Sequence, residues 1–523
     1  MSLDSVSRAN RAAILAAKAL GDVEPLDEII IGRDVLELIS SAMYIDPMTV
    51  YREYIQNAAD AVDEARRQGL LGSDEAGRVD ITIDAATRSV RIRDNGTGIS
   101  NSEFARRMAA LGGSGKRGTG ARGFRGVGRL AGLGYAQELI FRSKTTDDTL
   151  ISELTWDCRK LKTSLREEDG NIENLIQSVT ALRKKPAGDY PDHFFEVELR
   201  GIVRIRSDKL MSAAAIDDYL GQVAPVPFAP EFRFGAEIRA ALAPFVDLGD
   251  LQITIDGAER PVYRPHRDLI VKEGAKPIAF ESLSITTIPS MDGEPAALMW
   301  ILHHQYDGAL SNSAGVKGLR LRSGNIQVGE HNLLEDLFPE PRFNAWTVGE
   351  IHVIDRKITP NGRRDHFEQN AHYNNLTNHI TPLAREIAHI CRTSSIRRNS
   401  LREVELQQQN IEQTIEVLAQ GAIADGERTR RQAIVEDGFQ RIARALRNPT
   451  LKHDDIRDKS AAVDELRGRF ETAKQEPAMP GPIEGLTQPE QAAFKKFCDL
   501  VYECSPNAAA AKTLLDKILA KLG

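Results

Sequence analysis

The 523-residue chain has the composition of a globular protein, with 41% hydrophobic and 27% charged residues. One hydrophobic core usually serves roughly 100–200 residues, so we expect three or four folded units. The formal net charge of −7 gives no overall attraction to nucleic acid or to an acidic membrane. The four cysteines lack metal-ligand and redox spacing, and no segment is apolar over the roughly 20 residues of a bilayer span. These features predict a cytoplasmic protein with reduced cysteines and no membrane partner.

Two helices are predicted near the start of the chain. Apolar residues recur at helical spacing over 33–43. Asp46 and Pro47 then supply an N-cap residue followed by a first-turn proline. This pair predicts a second helix from about Pro47 to about Arg67.

Strands and a glycine-rich tract follow these helices. The segments 79–84 (VDITID) and 89–94 (SVRIRD) alternate apolar and polar residues, which predicts a β-hairpin that ends at Asp94. The tract 111–134 carries too many glycines for a stable helix, so most of it should be loop. Three further strands are predicted before the first domain closes near Ile202: QELIFRSKT, ISELTWD and HFFEVELRG.

The rest of the chain divides by composition. Residues 203–392 have a mixed α/β pattern with three strand-like segments: LQITIDG (251–257), ALMWILHH (297–304) and GEIHVID (349–355). Apolar residues spaced seven apart over 401–447 predict either a helical hairpin or short coiled coil, or an amphipathic helix packed on its own domain. The predicted units are 1–202, 203–392, a helical arm over 393–475, a Pro- and Gly-rich linker over 476–488, and a helical tail over 489–523.

One face of the second predicted helix carries polar side chains. In EYIQNAADA (53–61), Glu53, Asn57 and Asp60 are spaced so that they lie in a line along that face. A solvated charged face gives the same pattern, so this motif alone does not establish a site.

Two glycine-bearing motifs come after it. In DNGTGIS (94–100), Gly96 and Gly98 let the backbone turn tightly beside Asp94, although an ordinary Asn-Gly turn has the same residues. In GFRGVGRLAG (123–132), glycines precede a run of small residues. Such a run exposes backbone N–H groups at a helix N-terminus, where the helix dipole favours phosphate.

These three motifs, in this order and about thirty residues apart, resemble the N-box, G1 and G2 motifs of the GHKL ATPases. That family includes gyrase-type topoisomerases, heat-shock chaperones, histidine kinases and MutL. The resemblance covers about residues 29–200 and implies an α+β protein whose N-terminal domain is a GHKL (Bergerat) α/β sandwich. No G-x-x-x-x-G-K-S/T sequence occurs in the chain, which excludes the commoner phosphate-loop explanation.

The resemblance implies roles for the residues of the first two motifs. Glu53 matches the general base that orients the attacking water, and Asn57 matches the ligand of Mg²⁺. Asp94 would accept a hydrogen bond from the adenine amine, with Gly96 and Gly98 forming the turn beside the base. Asp60 matches a position in the nucleotide pocket, although a surface acid on the helix explains it equally well.

The third motif would bind the phosphates of ATP. Gly123, Gly126 and Gly128 would surround them, and Val127 would contribute its N–H. The stretch 100–122 would be a lid, and three cations within it are candidate phosphate partners: Lys116, Arg117 and Arg122.

The second domain resembles the middle domain of the Hsp90 chaperones, which is of the ribosomal-protein-S5-like α/β type. The similarity rests on the stretch 315–370, which ends in NGRRD (361–365) where the chaperones have N-x-S-R-E. Arg364 falls where the chaperones place the arginine that reaches the γ-phosphate, but Arg363 replaces a serine and leaves the choice between the two open. Lys317 is a rival, because MutL- and MORC-type proteins use a lysine from a comparable strand and loop. For each of these residues, a surface cation is the alternative interpretation.

Glu53 indicates hydrolysis rather than phosphotransfer. The leading hypothesis is therefore an ATP-hydrolysing, Mg²⁺-dependent, chaperone-like switch in which a homodimer joined by C-terminal helices closes on ATP; its protein client is unknown. One alternative is a DNA-associated clamp of the MORC or MutL kind, which would use the short basic segments 395–402 and 427–432. The other is a nucleotide-binding scaffold with little turnover, against which Glu53 argues.

Overall fold

The structure is a computed structural model. It describes residues 46–72, 74–109, 128–165, 172–205, 207–246, 248, 251–271, 277–475 and 481–522. Within these ranges, no helix is both long enough and apolar enough to cross a membrane.

A seven-stranded sheet is the base of the first part of the fold. Its strands are β1 (Gly77–Asp84), β2 (Ser89–Asp94), β3 (Glu138–Lys144), β4 (Leu150–Asp157), β5 (Thr180–Pro186), β6 (Phe194–Arg200) and β7 (Leu251–Ile255). The strand order is β5-β4-β3-β6-β2-β1-β7. All neighbours are antiparallel except β1 and β7, which run parallel.

Helices cover one face of this sheet. The helices of this part of the chain are α1 (Thr49–Arg67), α2 (Phe104–Ala109), α3 (Cys158–Ser164), α4 (Ile172–Val179), α5 (Ala213–Val223) and α6 (Gly235–Leu242), with a 3₁₀ helix at Gly128–Gly134. One hydrophobic core joins α1, α5 and the 3₁₀ helix to the inward side chains of the strands, whereas α6 packs in a separate core with Trp300 and Val348 further along the chain. On β2 these inward residues are Val90 and Ile92, and the same alternation turns Asp94 toward the helices.

The opposite face of the sheet carries ion pairs. The Arg142 guanidinium lies 2.7 Å from a carboxylate oxygen of each of Glu153, Glu196 and Glu198, which come from the neighbouring strands β4 and β6. The sheet is therefore apolar toward the helices and ionic on its other side.

A second sheet follows. Its strands are β10 (Ser282–Pro289), β11 (Pro295–His303), β12 (Gly318–Ser323), β13 (Ile326–Val328) and β14 (Val348–Val353), after a small pair formed by β8 (Leu269–Ile270) and β9 (Ile278–Ala279). The strand order is β10-β11-β14-β12-β13, with β12 and β14 parallel. The two sheets are linked through α5, because the buried Arg322 of β12 donates to the carbonyl oxygen of Gln222 at 2.7 Å and pairs with Glu350 at 2.7 Å.

The C-terminal part of the chain is helical. Its helices are α7 (Ala371–Ala419), α8 (Asp425–Leu446), α9 (His453–Lys474), α10 (Gly481–Glu484), α11 (Gln488–Cys504) and α12 (Ala508–Leu522). The end of α8 returns to the middle of α7, since Asn448 Nδ2 donates to Ser400 Oγ at 2.9 Å. The predicted hairpin is thus present, and it packs on further helices through one shared core.

The sequence-based elements need three adjustments. Helix α1 itself begins at Thr49, two residues after Pro47, and the Asp46 carboxylate accepts a hydrogen bond from the Met48 N–H at 3.1 Å in the turn that leads into it. The segment 251–257, assigned to the second domain, contributes β7 to the first sheet. Part of the predicted linker over 476–488 is helical, as α10. The helix predicted over 33–43 lies outside the described residues.

Candidate active site

Helix α1 places its polar face at the centre of the site. Glu53 is largely buried, with 13% of its side chain exposed, and its Oε1 lies 3.8 Å from Arg52 Nη2. Asn57 is partly buried one turn further on, and Asp60 is only 7% exposed. This face of α1 is therefore enclosed by the fold, unlike a solvated surface of a helix.

The turn after β2 fixes the Asp94 carboxylate. Asp94 is 6% exposed, and its Oδ1 accepts a hydrogen bond from the Gly96 N–H at 2.9 Å. A Cβ atom at Gly96 would lie 2.8 Å from the carbonyl carbon of Ala61 on α1. The turn thus presses against α1, and glycine is required for that close approach.

Gly98 is required for a second reason. Its φ is +69°, and a Cβ there would collide with the carbonyl oxygen of Lys144. The next residue, Ile99, donates its N–H to Ser143 Oγ at 2.7 Å, while Ser143 donates to the Phe194 carbonyl at 2.9 Å. The G1-like turn is therefore held between α1 on one side and strands β3 and β6 on the other.

Gly128 of the third motif lies directly against Glu53 of the first motif. It begins the 3₁₀ helix, and a Cβ at this position would collide with the Glu53 carboxylate, with Glu53 Cδ 3.3 Å away. Tyr54 anchors the same helix, because its hydroxyl donates to the Arg129 carbonyl and accepts from the Gly132 N–H, both at 3.0 Å. Burial lowers the pKa of the Arg129 guanidinium to about 10.

Several predicted site residues lie outside the described part of the chain. These are Gly123, Gly126 and Val127 of the third motif and, within the predicted lid, residues 110–122 with Lys116, Arg117 and Arg122.

The segment 361–365 reaches α1 from the second sheet. Arg52 Nη2 donates to the Arg363 carbonyl oxygen at 2.9 Å, and the same nitrogen faces Glu53. Arg364 is 8% exposed and has a φ of +56°, whereas the Arg363 side chain is exposed. The Arg364 carbonyl accepts from the Gly329 N–H at 2.8 Å, which ties the segment to the end of β13.

Lys317 has a different environment. Its Nζ donates to Asn312 Oδ1 at 2.7 Å, at the start of β12. Among the described residues, no hydrogen bond or ion pair joins Lys317 to α1. Two of the three candidate cations, Arg363 and Arg364, therefore belong to a segment whose backbone is hydrogen-bonded to α1, and Lys317 does not.

Sequence reasoning missed the residues that assemble this site. Arg52 and Tyr54 flank Glu53, and Tyr219 comes from α5, more than 150 positions further along the chain. Burial raises the pKa of the Tyr219 hydroxyl to about 12, a shift that nearby Arg52 and a hydrogen bond with Thr49 oppose. The pattern of α1 signals that Tyr54 is buried, but nothing in the sequence identifies the partners of Arg52.

The basic segments of the helical arm make contacts within the chain. Arg397 pairs with Asp455 at 2.7 Å, and Arg398 lies over the Trp346 ring, 5.4 Å from its centroid. Glu427 pairs with both Arg430 and Arg431. These arginines are therefore already neutralised or stacked.

Within the described ranges, no group of three or more His, Cys, Asp or Glu side chains could hold a metal ion. A magnesium ion brought by a nucleotide needs less, because Mg²⁺ usually takes one or two protein ligands together with phosphate oxygens and water. The Asn57 amide, beside Glu53 on an enclosed helix face, fits that requirement.

The class of this domain follows from the motif geometry together with a family match. Residues 45–188 match the family described as "Histidine kinase-, DNA gyrase B-, and HSP90-like ATPase". The chain therefore contains a GHKL-type, Hsp90-like ATPase domain, and the resemblance predicted from the N-box, G1 and G2 motifs is confirmed.

The similar proteins are bacterial chaperones. The chain is 26% identical over 198 residues to the chaperone protein HtpG of Polaromonas naphthalenivorans, which is 34% of this chain and 30% of that protein. It is 28% identical over 207 residues to HtpG of Nitrosomonas eutropha, with 36% and 32% covered. It is 35% identical over 88 residues to HtpG of Rhizobium meliloti, with 16% and 14% covered. The matches thus span less than a third of each relative.

Proposed function

We propose that this protein binds and hydrolyses ATP with Mg²⁺ and works as a chaperone-like conformational switch in a homodimer. The observation that carries the proposal is the contact between Glu53 and Gly128. It joins the candidate general base of α1 to the last of the three glycines in the candidate phosphate-binding motif, which is also the first residue of the 3₁₀ helix.

Each group at the site has a part in this chemistry. The Asp94 carboxylate, which is buried at the end of β2 and held by the Gly96 N–H at Oδ1, would accept from the adenine amine. The Asn57 oxygen would hold Mg²⁺, and the ion would neutralise charge on the phosphates. Glu53 orients a water molecule and takes its proton as the water attacks the γ-phosphate.

The second sheet would take part through 361–365. A cation at the γ-phosphate stabilises the charge that develops in the transition state, and Arg364 is our first choice for it. Arg52 binds the backbone of this segment and also faces Glu53. A displacement of the phosphates would therefore affect both Glu53 and the segment 361–365. That coupling is what a nucleotide-driven switch requires.

The test is the variant Glu53→Ala, with ATP binding and ATP hydrolysis measured separately. We expect binding by calorimetry to stay close to that of the parent, while turnover falls by roughly 10²–10⁴, the usual loss for a missing general base. Glu64→Ala, on the exposed end of the same helix, is the matched control and should hydrolyse normally. Parental turnover in Glu53→Ala would rule out this role.

A second measurement separates the switch from a DNA clamp. ATPase rates are compared with and without duplex DNA at two salt concentrations. Because Arg397, Arg430 and Arg431 of these two segments are paired within the chain, we expect DNA to leave the rate unchanged. A stimulation that falls steeply with salt would favour the clamp instead.

A further inference from the structure

Gln56 is a buried residue of α1 whose amide group has no hydrogen-bond partner in the described part of the chain. The residue is 2% exposed, and both Oε1 and Nε2 are unpartnered. A buried amide in this state costs stability, because its hydrogen bonds to water are lost and not replaced within the fold. Unpartnered buried groups are rare in native proteins, and a catalytic or binding role is one physical reason for keeping them.

Neighbouring buried polar side chains of α1 are bonded. Tyr51 and Tyr54 use their hydroxyls to bind backbone groups outside the helix. Arg52 binds the Arg363 carbonyl oxygen through Nη2, although its Nε has no partner among the described residues. The unpartnered buried polar atoms of α1 therefore belong to Arg52 and Gln56, which are four residues apart.

Helix geometry places Gln56 beside the candidate general base. Residues three or four positions apart on a helix are neighbours, so Gln56 lies next to both Glu53 and Arg52. Glutamine and glutamate side chains are equally long, so the Gln56 amide can reach the same height above α1 as the Glu53 carboxylate. Arg52 Nη2 lies 3.8 Å from Glu53 Oε1. Three polar side chains thus converge on the part of α1 that meets Gly128 and the segment 361–365.

The attack of water on the γ-phosphate needs two hydrogen-bond acceptors. A lone pair of the water oxygen has to point at phosphorus, so both hydrogens of the water are best held by acceptors. Glu53 accepts one of them in the proposed function. Arg52 cannot accept the other, because a guanidinium group only donates. The Gln56 Oε1 is a buried acceptor that no described group uses.

We propose that Gln56 holds the attacking water together with Glu53. The amide oxygen accepts one hydrogen of the water, and the Gln56 Nε2 donates to an oxygen of the γ-phosphate. The water oxygen bonds to phosphorus as its other hydrogen moves, as a proton, to Glu53. The bond from phosphorus to the bridging oxygen breaks, and its electron pair leaves with ADP. This inference rests on the ATP hydrolysis of the proposed function, to which it adds a second residue at the water.

The first experiment measures ATP turnover and ATP binding of Gln56→Leu in the full chain. Leucine fills a similar volume without an acceptor, so we expect turnover to fall by roughly 10- to 100-fold for a misplaced water, while the ATP dissociation constant changes by less than about fivefold. Gln407→Leu is the matched control. Gln407 is also a buried glutamine, but it lies on α7 and its Nε2 donates to Glu403. Parental turnover in Gln56→Leu would overturn the proposal.

Thermal unfolding without nucleotide separates this role from a structural one. Gln56→Leu replaces two unpartnered polar atoms by apolar ones, so its unfolding midpoint should equal or exceed that of the parent. A lower midpoint together with weaker ATP binding would show that Gln56 supports the fold instead, and the proposal would be wrong.

A double variant tests whether the two residues act on the same water. Glu53→Ala already loses the oriented water, so Glu53→Ala/Gln56→Leu should turn over no more than about twofold slower than Glu53→Ala alone. Losses that multiply would place Gln56 at a different step and count against the proposal.

The two single variants keep this inference apart from the function on which it rests. If Glu53→Ala loses turnover and Gln56→Leu does not, Gln56 has no part at the water and the ATPase stands. If the parent hydrolyses no ATP, or Glu53→Ala turns over at the parental rate, the proposed function fails and this inference fails with it.

Discussion

Arg52 of helix α1 donates a hydrogen bond of 2.9 Å to the backbone carbonyl of Arg363, 311 positions away in the chain. The bond connects the helix that carries the candidate general base to the segment that carries the candidate γ-phosphate arginine. Arg52 is 9% exposed, so the bond lies in a protected environment where a charged hydrogen bond is worth about 1.5–3 kcal/mol.

Removing this guanidinium should slow hydrolysis more than it weakens binding. Arg52→Ala frees 361–365 from α1 and leaves Asp94 and Asn57 in place. We expect turnover to fall by at least roughly tenfold, equivalent to about 1.4 kcal/mol of barrier, with the ATP dissociation constant little changed. Arg67→Ala, an arginine 68% exposed at the end of the same helix, should behave as the parent in both assays. An equal loss of binding and turnover in Arg52→Ala would mean that Arg52 only holds the domain together.

Gly128 should be needed for the position of Glu53. A Cβ atom at residue 128 would occupy the space of the Glu53 carboxylate, so Gly128→Ala must displace that side chain or the 3₁₀ helix. A displacement of about 1 Å at a catalytic group can cost roughly 10²-fold in rate, and we expect a loss of that order in turnover. Gly72→Ala is the control, because a Cβ there meets no atom within 4 Å. Normal turnover in Gly128→Ala would show that Glu53 tolerates the displacement and is not positioned by this contact.

Asp94→Asn should abolish ATP binding while preserving the turn. The amide keeps one oxygen to accept from the Gly96 N–H, but it replaces the other acceptor by a donor that repels the adenine amine. Calorimetric titration with ATP checks this, and an unchanged thermal unfolding midpoint would show that the fold is intact. If Asp94→Asn bound ATP with near-normal affinity, Asp94 would not be the residue that binds adenine.

The order of the local elements could be predicted because their patterns are local. Alternation in 79–84 and 89–94 predicted the hairpin, which the structure has in the register Val79 to Asp94. Strand β5 (Thr180–Pro186) was missed because it is exposed at a sheet edge and does not alternate. The edge position removes the apolar signal on which such predictions depend.

Pairing between distant segments could not be predicted. The alternation in 251–255 identifies a strand but not its neighbour, and the structure pairs it with β1, whose Gly77 faces Leu251. A fragment that ends near Ile202 would therefore lose β7 and helix α5 from the core. A fragment meant to bind ATP alone should extend through Val262, which lies in the same core. Two contacts of the site could not be predicted for the same reason: Glu53 with Gly128, and Arg52 with Arg363. The spacing of motifs along the sequence does not tell which residues are close in the folded protein.

The final prediction concerns the cation at the γ-phosphate. Arg363, Arg364 and Lys317 differ in their connection to α1. The first two belong to a segment whose backbone is bonded to Arg52, whereas the Lys317 ammonium group donates to Asn312. Arg364 is buried and Arg363 is exposed. Only the Arg364 guanidinium therefore lies in an environment of low dielectric constant, where its electrostatic interaction with a phosphate is strong.

Single alanine substitutions should then rank in a defined order. Arg364→Ala should lose roughly 10²–10³ in turnover, the usual effect of removing one group that stabilises transition-state charge, while ATP binding stays near the parental value. Lys317→Ala should lose least, because no bond ties it to the site helix. Arg356→Ala, a cation between β14 and the segment 361–365, controls for loss of positive charge in this region and should hydrolyse normally. If Arg364→Ala turned over at the parental rate while Lys317→Ala did not, the second sheet would act through the lysine, as in the MutL- and MORC-type proteins. If none of Arg363→Ala, Arg364→Ala and Lys317→Ala slowed turnover, the segment 361–365 would be a structural contact of α1. The bond from Arg52 would then stabilise the fold without taking part in hydrolysis.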